Sequence, residues 1–360
     1  MENNIKPAQR LWSDCIRNLE PYTHGEQLNL VNLIKLNTNE NPYPPSPEVL
    51  KALKHATDDN LRLYPDPYGE ELKQVISEKH GLTTKNIFLG NGSDEVLAHT
   101  FLALLKHQHP ILFPDISYSF YPVYCGLYDI PYETIPLNDA FKINVSDYAR
   151  LNGGIVLPNP NAPTGIALDL LEIRTLLEQS PNSVVIDEAY VDFGAQSAVS
   201  LVKQYPNLLV IQTLSKSYSL AGLRVGFAIG HSDLIDALNL VKGCFNSYPI
   251  DRLALAGAKA AIQDSPYFET TRHKIMESRE WLTTEFEALG FDVLPSKANF
   301  LFIQHKKLNA EYLQSELRRR NVLVRHFPNP RISDFLRISI GTIEECRTLV
   351  RLMTEIEGVK

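Results

Sequence analysis

The sequence lacks several features that mark particular classes of protein. Its four cysteines are scattered and none forms a CxxC pair, which argues against a disulfide framework or a cysteine metal site. No run approaches the roughly 18 apolar residues of a membrane-spanning helix. The start, MENNIKPAQRLWSDC, has no apolar core of a secretion signal. We therefore expect a cytoplasmic protein with free thiols and no membrane association.

Charge of one sign is not concentrated anywhere along the chain. The net charge is −7, and no basic block offers the patch that nucleic acid or an anionic membrane surface would need. The histidines show no HExxH spacing, so no metal site is expected. A hydrophobic content of 44% over 360 residues is ordinary for a globular enzyme, and the length favours two domains.

Short apolar runs alternate with helical periodicity through the middle of the chain. The runs IFLG, PILF, GGIVLP, SVVID, LLVIQT and VGFAIG predict strands, and SDEVLAHTFLALLK and LDLLEIRTLLEQ predict helices. This pattern is typical of an α/β fold with a mostly parallel sheet. After Pro249 two long helical segments precede the strands ANFLFIQ, NVLVRHF and FLRISIG. We predict a large domain at 36–248 and a smaller α+β domain formed by 1–35 and 249–360.

Two motifs, one with an acidic residue and one with basic residues, follow predicted strands. Asp187 ends the strand SVVID, where the carboxyl ends of an α/β sheet face the ligand crevice, so its acid could meet a cationic group. Lys216 follows the strand LLVIQT, beside Ser215 and eight positions before Arg224. An amine there can act as a nucleophile toward an aldehyde, while the hydroxyl and the guanidinium suit a phosphate. Taken singly, Asp187 could be a solvated loop acid and Lys216 a surface charge.

Two loops complete the pattern. In LGNGSDEV, Ser93 and Asp94 begin a helix after a glycine turn, which offers free amides to a phosphate or is simply a serine cap. In PNPNAPTG, prolines and a glycine fix a turn that carries Asn161. An aldehyde, a phosphate and a ring nitrogen that needs a carboxylate occur together in pyridoxal phosphate.

The order NGSDE, SYSFY, NPNAPTG, IDEAY, SKSYSLAGLRVG and LRISIGT resembles the fold-type I aminotransferases of classes I and II over nearly the whole chain. The resemblance implies a pyridoxal 5'-phosphate transferase fold and a homodimer with shared sites. It also implies the cofactor contacts Lys216 (Schiff base and general base), Asp187 (pyridine nitrogen), Tyr190 (phenolic oxygen), Tyr118 (ring stacking), Ser93, Asp94, Ser215 and Arg224 (phosphate), and Tyr64 from the partner subunit. Where the family has Asn directly before PTG, this sequence has Ala162, and Asn161 is the predicted substitute.

Other segments resemble the histidinol-phosphate aminotransferases, namely IRNLEPYTHGEQ, LNTNENPYPPSP, FNSYPIDRLA and VLVRHF. That resemblance implies transfer of an amino group between L-histidinol phosphate and 2-oxoglutarate in histidine biosynthesis. Tyr22, Arg325 and Arg337 match its substrate residues, and two arginines suit a doubly charged phosphate. The alternatives are an aromatic amino-acid aminotransferase, an amino-acid-phosphate decarboxylase of the same fold, a transcription regulator and a non-catalytic binding protein.

Overall fold

Two β-sheets flanked by helices organise the chain. The computed structural model describes residues 11–17, 19–28 and 31–358. The strands are β1 (Ile34–Leu36), β2 (Ile87–Asn91), β3 (Ile111–Pro114), β4 (Tyr132–Ile135), β5 (Ile155–Pro158), β6 (Val184–Asp187), β7 (Leu208–Thr213), β8 (Val225–Gly230), β9 (Phe291–Val293), β10 (Phe300–His305), β11 (Val322–His326) and β12 (Phe335–Ser339). The helices are α1 (Pro47–Ala56), α2 (Glu70–His80), α3 (Gly92–Leu104), α4 (Tyr121–Tyr128), α5 (Leu170–Gln179), α6 (Ser232–Phe245), α7 (Arg252–Gln263), α8 (Ser265–Ala288), α9 (Ala310–Arg319) and α10 (Ile343–Gly358).

The larger sheet has seven strands in the order β2-β8-β7-β6-β5-β3-β4. β8 runs antiparallel to both of its neighbours, and the other pairs are parallel. Strands β5, β6 and β8 are buried along their whole length, as expected for a sheet with helices on both faces. The parallel strands place the ends of β6 and β7 side by side, where Asp187 and Thr213 lie.

The smaller sheet has five strands in the order β1-β11-β12-β10-β9. β1 comes from the N-terminal part of the chain and pairs parallel with β11, while the other pairs are antiparallel. The apolar residues of this sheet form a core with those of α8, α9 and α10. The N-terminal segment therefore completes the sheet that carries Arg325 and Arg337.

The predicted α/β class with a mixed larger sheet and a smaller α+β region is confirmed. Local signals at helix ends are also seen: the Ser46 hydroxyl accepts from the Glu48 amide at the start of α1, Gly81 ends α2 at φ +63°, and Thr342 and Glu345 form a capping box before α10. We did not predict α4, which begins with an aromatic- and proline-containing turn, nor β4, an edge strand with three exposed residues.

The domain limits at residues 36 and 249 stay predictions. Helix α7, which follows the second limit, contributes Ala254, Ala258 and Ala261 to the core of the larger sheet. Residues 1–10, 18, 29 and 30 of the predicted small-domain segment lie outside the described residues. No helix in the described ranges is long and apolar enough to cross a membrane.

Candidate active site

A cleft of about 400 Å³ lies between the ends of β6 and β7 and the strands β11 and β12. Side chains from both sheets and from the N-terminal segment line it. They include Tyr22, His24, Thr38, Asn39, Ser93, Asp94, Tyr118, Ala162, Asp187, Tyr190, Ser215, Lys216, Arg224, Arg325, Phe327 and Arg337. The structure thus brings together most of the residues that the sequence singled out, although they are spread over more than 300 positions.

Asp187 lies at the buried end of the cleft. Its Oδ2 accepts a hydrogen bond from the Tyr121 hydroxyl at 2.9 Å, and its Oδ1 accepts one from the Ala189 amide at 3.3 Å. Burial raises the pKa of the Asp187 carboxyl to about 6, and these two hydrogen bonds oppose part of that rise. A buried carboxylate with no cation among these partners is suited to a positively charged group in the cleft.

The start of α3 and the loop before β8 form a cradle in the same cleft. Arg224, whose backbone has φ +52°, lies there, and its guanidinium donates to the Ser215 hydroxyl at 3.4 Å and to Asp94 Oδ2 at 2.8 Å. A Cβ added at Gly92 would lie 2.4 Å from Arg224 Nη2, so the absence of a side chain leaves the space in which the guanidinium sits. The free amides of the first turn of α3 and this cation are suited to bind an anion.

The carboxylate of Asp94 is a positioning group within this cradle. It accepts hydrogen bonds from Arg224 and from the Tyr118 hydroxyl, the latter at 3.0 Å. A carboxylate would repel a phosphate dianion, so its side chain orders the neighbouring cation and ring. The Asp94 backbone amide lies in the first turn of α3, with the amides that suit an anion.

Lys216 and Tyr190 face each other in the middle of the cleft. The Lys216 amine donates to the Thr38 carbonyl oxygen at 3.1 Å and lies 5.9 Å from the centre of the Tyr190 ring. The Tyr190 ring is packed edge-on against Phe300, and its hydroxyl accepts a hydrogen bond from the Asn39 amide at 3.0 Å. Among the residues that the structure describes, the hydrogen-bond partner of this amine is one neutral carbonyl, so the amine can leave it for a ligand.

Arg325 and Arg337 lie at the opposite end of the cleft, directly across from each other in the ladder between β11 and β12. Arg337 is partly buried; its Nη2 donates to the Asn37 carbonyl oxygen at 3.0 Å, and its buried Nε has no hydrogen-bond partner among the described residues. Arg325 donates to the carbonyl oxygens of Thr23 and His24. Like charges directly opposite in a ladder repel each other, so this pair is suited to an anion between them.

Residues 22–27 form a strap across the arginine end. Tyr22 stacks on Phe120 with ring centres 5.0 Å apart, and its ring lies 6.2 Å from that of Tyr118. Glu26 holds the strap to α9 through a bidentate ion pair with Arg318. The strap therefore places an aromatic wall beside the two arginines.

Two predicted contacts are not in the cleft. The Asn161 amide is buried and turned away, because it donates to the Ile116 carbonyl oxygen at 3.0 Å and to the Thr164 hydroxyl at 3.1 Å. Asn161 is therefore not brought to the position that Ala162 occupies in the lining. Tyr64 lies on the surface with 77% of its area exposed, stacked on Tyr248.

Sequence reasoning missed several residues that line or support the cleft. Tyr121 lies three residues after Tyr118, and its link to Asp187 depends on where α4 begins. Thr38 and Asn39 lie in the segment LNTNENPYPPSP, which contributed only to the family resemblance and was given no site residue. Phe327 follows β11 and packs beside both arginines. A signal for Tyr121 was present in the spacing of SYSFY; for the others, the contacts join parts of the chain too distant to predict from sequence.

Comparison with known proteins places these features in context. Residues 31–352 match the model of the family "Aminotransferase class I and II". Histidinol-phosphate aminotransferase 1 of Methylococcus capsulatus is 59% identical, covering 96% of this chain and 97% of its own. The Pseudomonas fluorescens enzyme of the same name is 57% identical, covering 96% and 99%.

A solved structure is also similar. Histidinol-phosphate aminotransferase from Sinorhizobium meliloti, in complex with pyridoxal-5'-phosphate, matches with a TM-score of 0.83 and 23% identity, over 91% of each chain. At this identity the structural similarity shows only that the two chains share a fold. That fold is the one that the sequence predicted.

Proposed function

We propose that this chain, which belongs to the class I and II aminotransferase family, transfers an amino group from L-histidinol phosphate to 2-oxoglutarate with pyridoxal 5'-phosphate as cofactor. The products are imidazole-acetol phosphate and L-glutamate, and the reaction belongs to histidine biosynthesis. The observation that carries the substrate assignment is the pair of arginines facing each other across the ladder between β11 and β12.

The cleft fits the cofactor at three separate points. The buried carboxyl of Asp187 suits a protonated ring nitrogen, and the Arg224 cradle with the start of α3 suits a phosphate. The Lys216 amine between them is free to bind an aldehyde. These groups belong to one cleft, which a single ligand carrying all three functions can satisfy.

The residues that would hold the cofactor are those that the resemblance implied, except Asn161. They are Lys216 at the aldehyde, Asp187 at the ring nitrogen, Tyr190 at the phenolic oxygen, Tyr118 against the ring, and Ser93, Asp94, Ser215 and Arg224 around the phosphate. When bound, pyridoxal phosphate binds the substrate amine and draws electrons from the carbon that carries it. Asp187 keeps the ring nitrogen protonated by accepting its hydrogen bond.

Lys216 is the residue that carries the proton removed from the substrate. Its Nζ, held by the Thr38 carbonyl oxygen beside the Tyr190 ring, takes the proton from the substrate carbon that bears the nitrogen. The same nitrogen would then hold this proton and return it when the cofactor is bound. A second substrate follows the reverse path after the first product has left, so ping-pong kinetics are expected.

Arg325 and Arg337 bind the anionic group of the substrate. A phosphate dianion accepts charge-assisted hydrogen bonds from both guanidiniums and would occupy the Nε of Arg337, which has no partner among the described residues. In the second half-reaction the α-carboxylate of 2-oxoglutarate or glutamate carries less charge and needs only Arg337. Tyr22 contributes an aromatic wall to the substrate side of the cleft.

The active enzyme that we propose is a homodimer in which Tyr64 contacts the phosphate in the partner's cleft. Tyr64 is exposed, yet its loop is held: Arg252 donates to its carbonyl oxygen at 2.7 Å, and Tyr248 stacks on its ring at 4.6 Å. An ordered aromatic presented to solvent is suited to a second copy of the chain. We propose the cytoplasm as its compartment, in keeping with four unpaired cysteines.

The shared site of the dimer can be tested by mixing two defective variants of the chain. Lys216→Ala and Tyr64→Ala proteins, each inactive or weak alone, should recover activity when they are unfolded and refolded together, because one of the two mixed sites is intact. A mixture no more active than its components, or a fully active monomer in sedimentation, contradicts the shared site.

The substrate is tested by amino transfer to 2-oxoglutarate from histidinol phosphate and, in parallel, from phenylalanine. The proposal expects kcat/KM for histidinol phosphate to be larger by about 100-fold or more. Equal values would indicate an aromatic amino-acid aminotransferase, and carbon dioxide release from an amino-acid phosphate would indicate a decarboxylase.

A further inference from the structure

The hydroxyl of Tyr190 is held from behind by a residue that the proposed function has not used. Asn39 Nδ2 donates to the Tyr190 hydroxyl oxygen at 3.0 Å, and both residues line the cleft. A phenol that accepts a hydrogen bond from an amide keeps its own proton for a different acceptor. Asn39 therefore leaves the Tyr190 proton free to point into the cleft.

The orientation of the Asn39 amide follows from its other partner. The Asn39 backbone amide donates to the Ser339 hydroxyl oxygen at 2.8 Å, and that hydroxyl donates to Asn39 Oδ1 at 2.9 Å. Because Ser339 receives the backbone N–H, its proton is available for the side-chain oxygen. The carbonyl end of the amide is thus fixed on Ser339, and the NH₂ end must face Tyr190.

This hydrogen-bond network is buried, and it depends on the backbone conformation of Asn39. Asn39 and Ser339 are each only 1% exposed, so a polar group that lost its hydrogen-bond partner here could not bond to water instead. Asn39 adopts φ +55°, a left-handed conformation that asparagine tolerates better than most residues. Asn299 donates to the Asn39 carbonyl oxygen at 3.0 Å, which fixes the backbone as well.

Among the described residues, positions 161 and 162 present no side-chain amide donor to this part of the cleft. Ala162 lies in the lining with only a methyl group, and the amide of Asn161 is engaged with Ile116 and Thr164. A ligand oxygen near Tyr190 therefore depends on the direction of the Tyr190 proton.

We propose that Asn39 is a positioning residue that makes Tyr190 a hydrogen-bond donor to the phenolic oxygen of the cofactor, in a cleft where position 162 carries no amide. The Ser339–Asn39–Tyr190 chain links the smaller sheet to the cofactor end of the cleft. The inference rests on the proposed function, because the acceptor is an oxygen of pyridoxal phosphate.

Two variants separate the donor from the backbone. Asn39→Asp keeps the shape and replaces the NH₂ donor by an acceptor, so the Tyr190 proton should turn toward position 39. Asn39→Gly keeps the left-handed backbone and removes the donor without adding charge. Losing a donor leaves more negative charge on the phenolic oxygen, which stabilises a proton on the adjacent Lys216 nitrogen.

The measurement is a pH titration of the visible absorption band of the protein loaded with pyridoxal phosphate. We expect the midpoint to rise by about one pH unit in Asn39→Asp, less in Asn39→Gly, and in the same direction in Tyr190→Phe. We also expect kcat/KM to fall by about tenfold in Asn39→Asp. Asn321→Asp is the matched control, since Asn321 is an exposed left-handed asparagine outside the cleft.

A double variant distinguishes positioning from the direct effect of a new charge. In a Tyr190→Phe background, Asn39→Asp should add little further shift, because the two changes act through one hydroxyl. A full additional shift, or wild-type midpoints in both Asn39 variants, would overturn the proposal. If the wild-type protein forms no visible band with the cofactor, the proposed function itself has failed.

Discussion

The two ends of the cleft carry opposite charges that neither end neutralises alone. At one end Asp187 is buried beside a tyrosine hydroxyl and a backbone amide. At the other, Arg325 and Arg337 face each other across a ladder, and the Nε of Arg337 has no hydrogen-bond partner in the described part of the chain. Both arrangements are unfavourable without a ligand, and each is complementary to a different part of one.

The ends differ in how they respond when no ligand is bound. Burial raises the pKa of the Asp187 carboxyl to about 6, so that end can become neutral by taking up a proton. Burial also lowers the pKa of Arg337, but a guanidinium stays protonated at any physiological pH. The acidic end can therefore adjust its charge, whereas the basic end always requires carbonyl groups or an anion.

The largest effect is expected between the two ends, at Lys216. Lys216→Ala should lower amino transfer by about 10⁴-fold or more, because the proton carrier is lost while the groups at both ends remain. The protein should still bind pyridoxal phosphate, but borohydride should no longer fix it to the chain. Lys203→Ala, at an exposed lysine, is the control; an active Lys216→Ala protein would refute the role.

Asp187→Asn should separate function from stability. We expect the rate of amino transfer to fall by about 100-fold or more, because the ring nitrogen loses its carboxylate partner.

The apoprotein should show the opposite effect on stability. A raised pKa means that the folded state is penalised as pH rises from about 4, where the unfolded carboxyl titrates, to above about 6. The variant should gain about 3 kcal/mol in free energy of unfolding at pH 8 and little at pH 4. Urea titrations at both pH values measure this; an equal change at both would contradict the buried charge.

The arginine end should respond according to the substrate. Arg337→Ala should slow both half-reactions, since phosphate and carboxylate both use it. Arg325→Ala should lower the histidinol phosphate half-reaction by about tenfold to 100-fold and the glutamate half-reaction less. Single-turnover kinetics of each half-reaction test this, and equal losses for both substrates in Arg325→Ala would show that Arg325 does not bind the phosphate.

The smallest effect is expected at the strap. Arg318 and Glu26 form an exposed ion pair, which water and dissolved salt screen strongly. Arg318→Ala should raise KM for histidinol phosphate by about two- to fivefold and leave kcat unchanged. Arg319→Ala removes an ion pair on the same helix away from the strap and is the matched control. A fall in kcat would mean that the strap does more than position Tyr22.

The cofactor end and the middle of the cleft could be predicted from the sequence, because their residues lie in short motifs that adjoin apolar strands. Asp187, Lys216 and Arg224 are examples, and the sheet order brings them together. For the basic end, the resemblance implied that Arg325 and Arg337 bind one phosphate, but not that they face each other. Their facing positions depend on the register of β11 against β12.

Asn39 and Asn161 show where sequence reasoning fails. Asn161 was predicted to replace the amide missing at Ala162, since it is the adjacent residue. In the structure its amide points into the turn, and the residue that meets Tyr190 is Asn39, 151 positions away. The direction of a side chain in a loop depends on buried hydrogen bonds that no local pattern shows.

The measurement that most directly tests the assignment compares histidinol phosphate with histidinol, which lacks the phosphate, in the wild-type protein and in Arg325→Ala. If the arginine pair binds the phosphate, the wild-type kcat/KM should favour histidinol phosphate by about 100-fold or more, and Arg325→Ala should reduce that preference by about tenfold. If the preference is the same in both proteins, the arginine pair does not select the substrate.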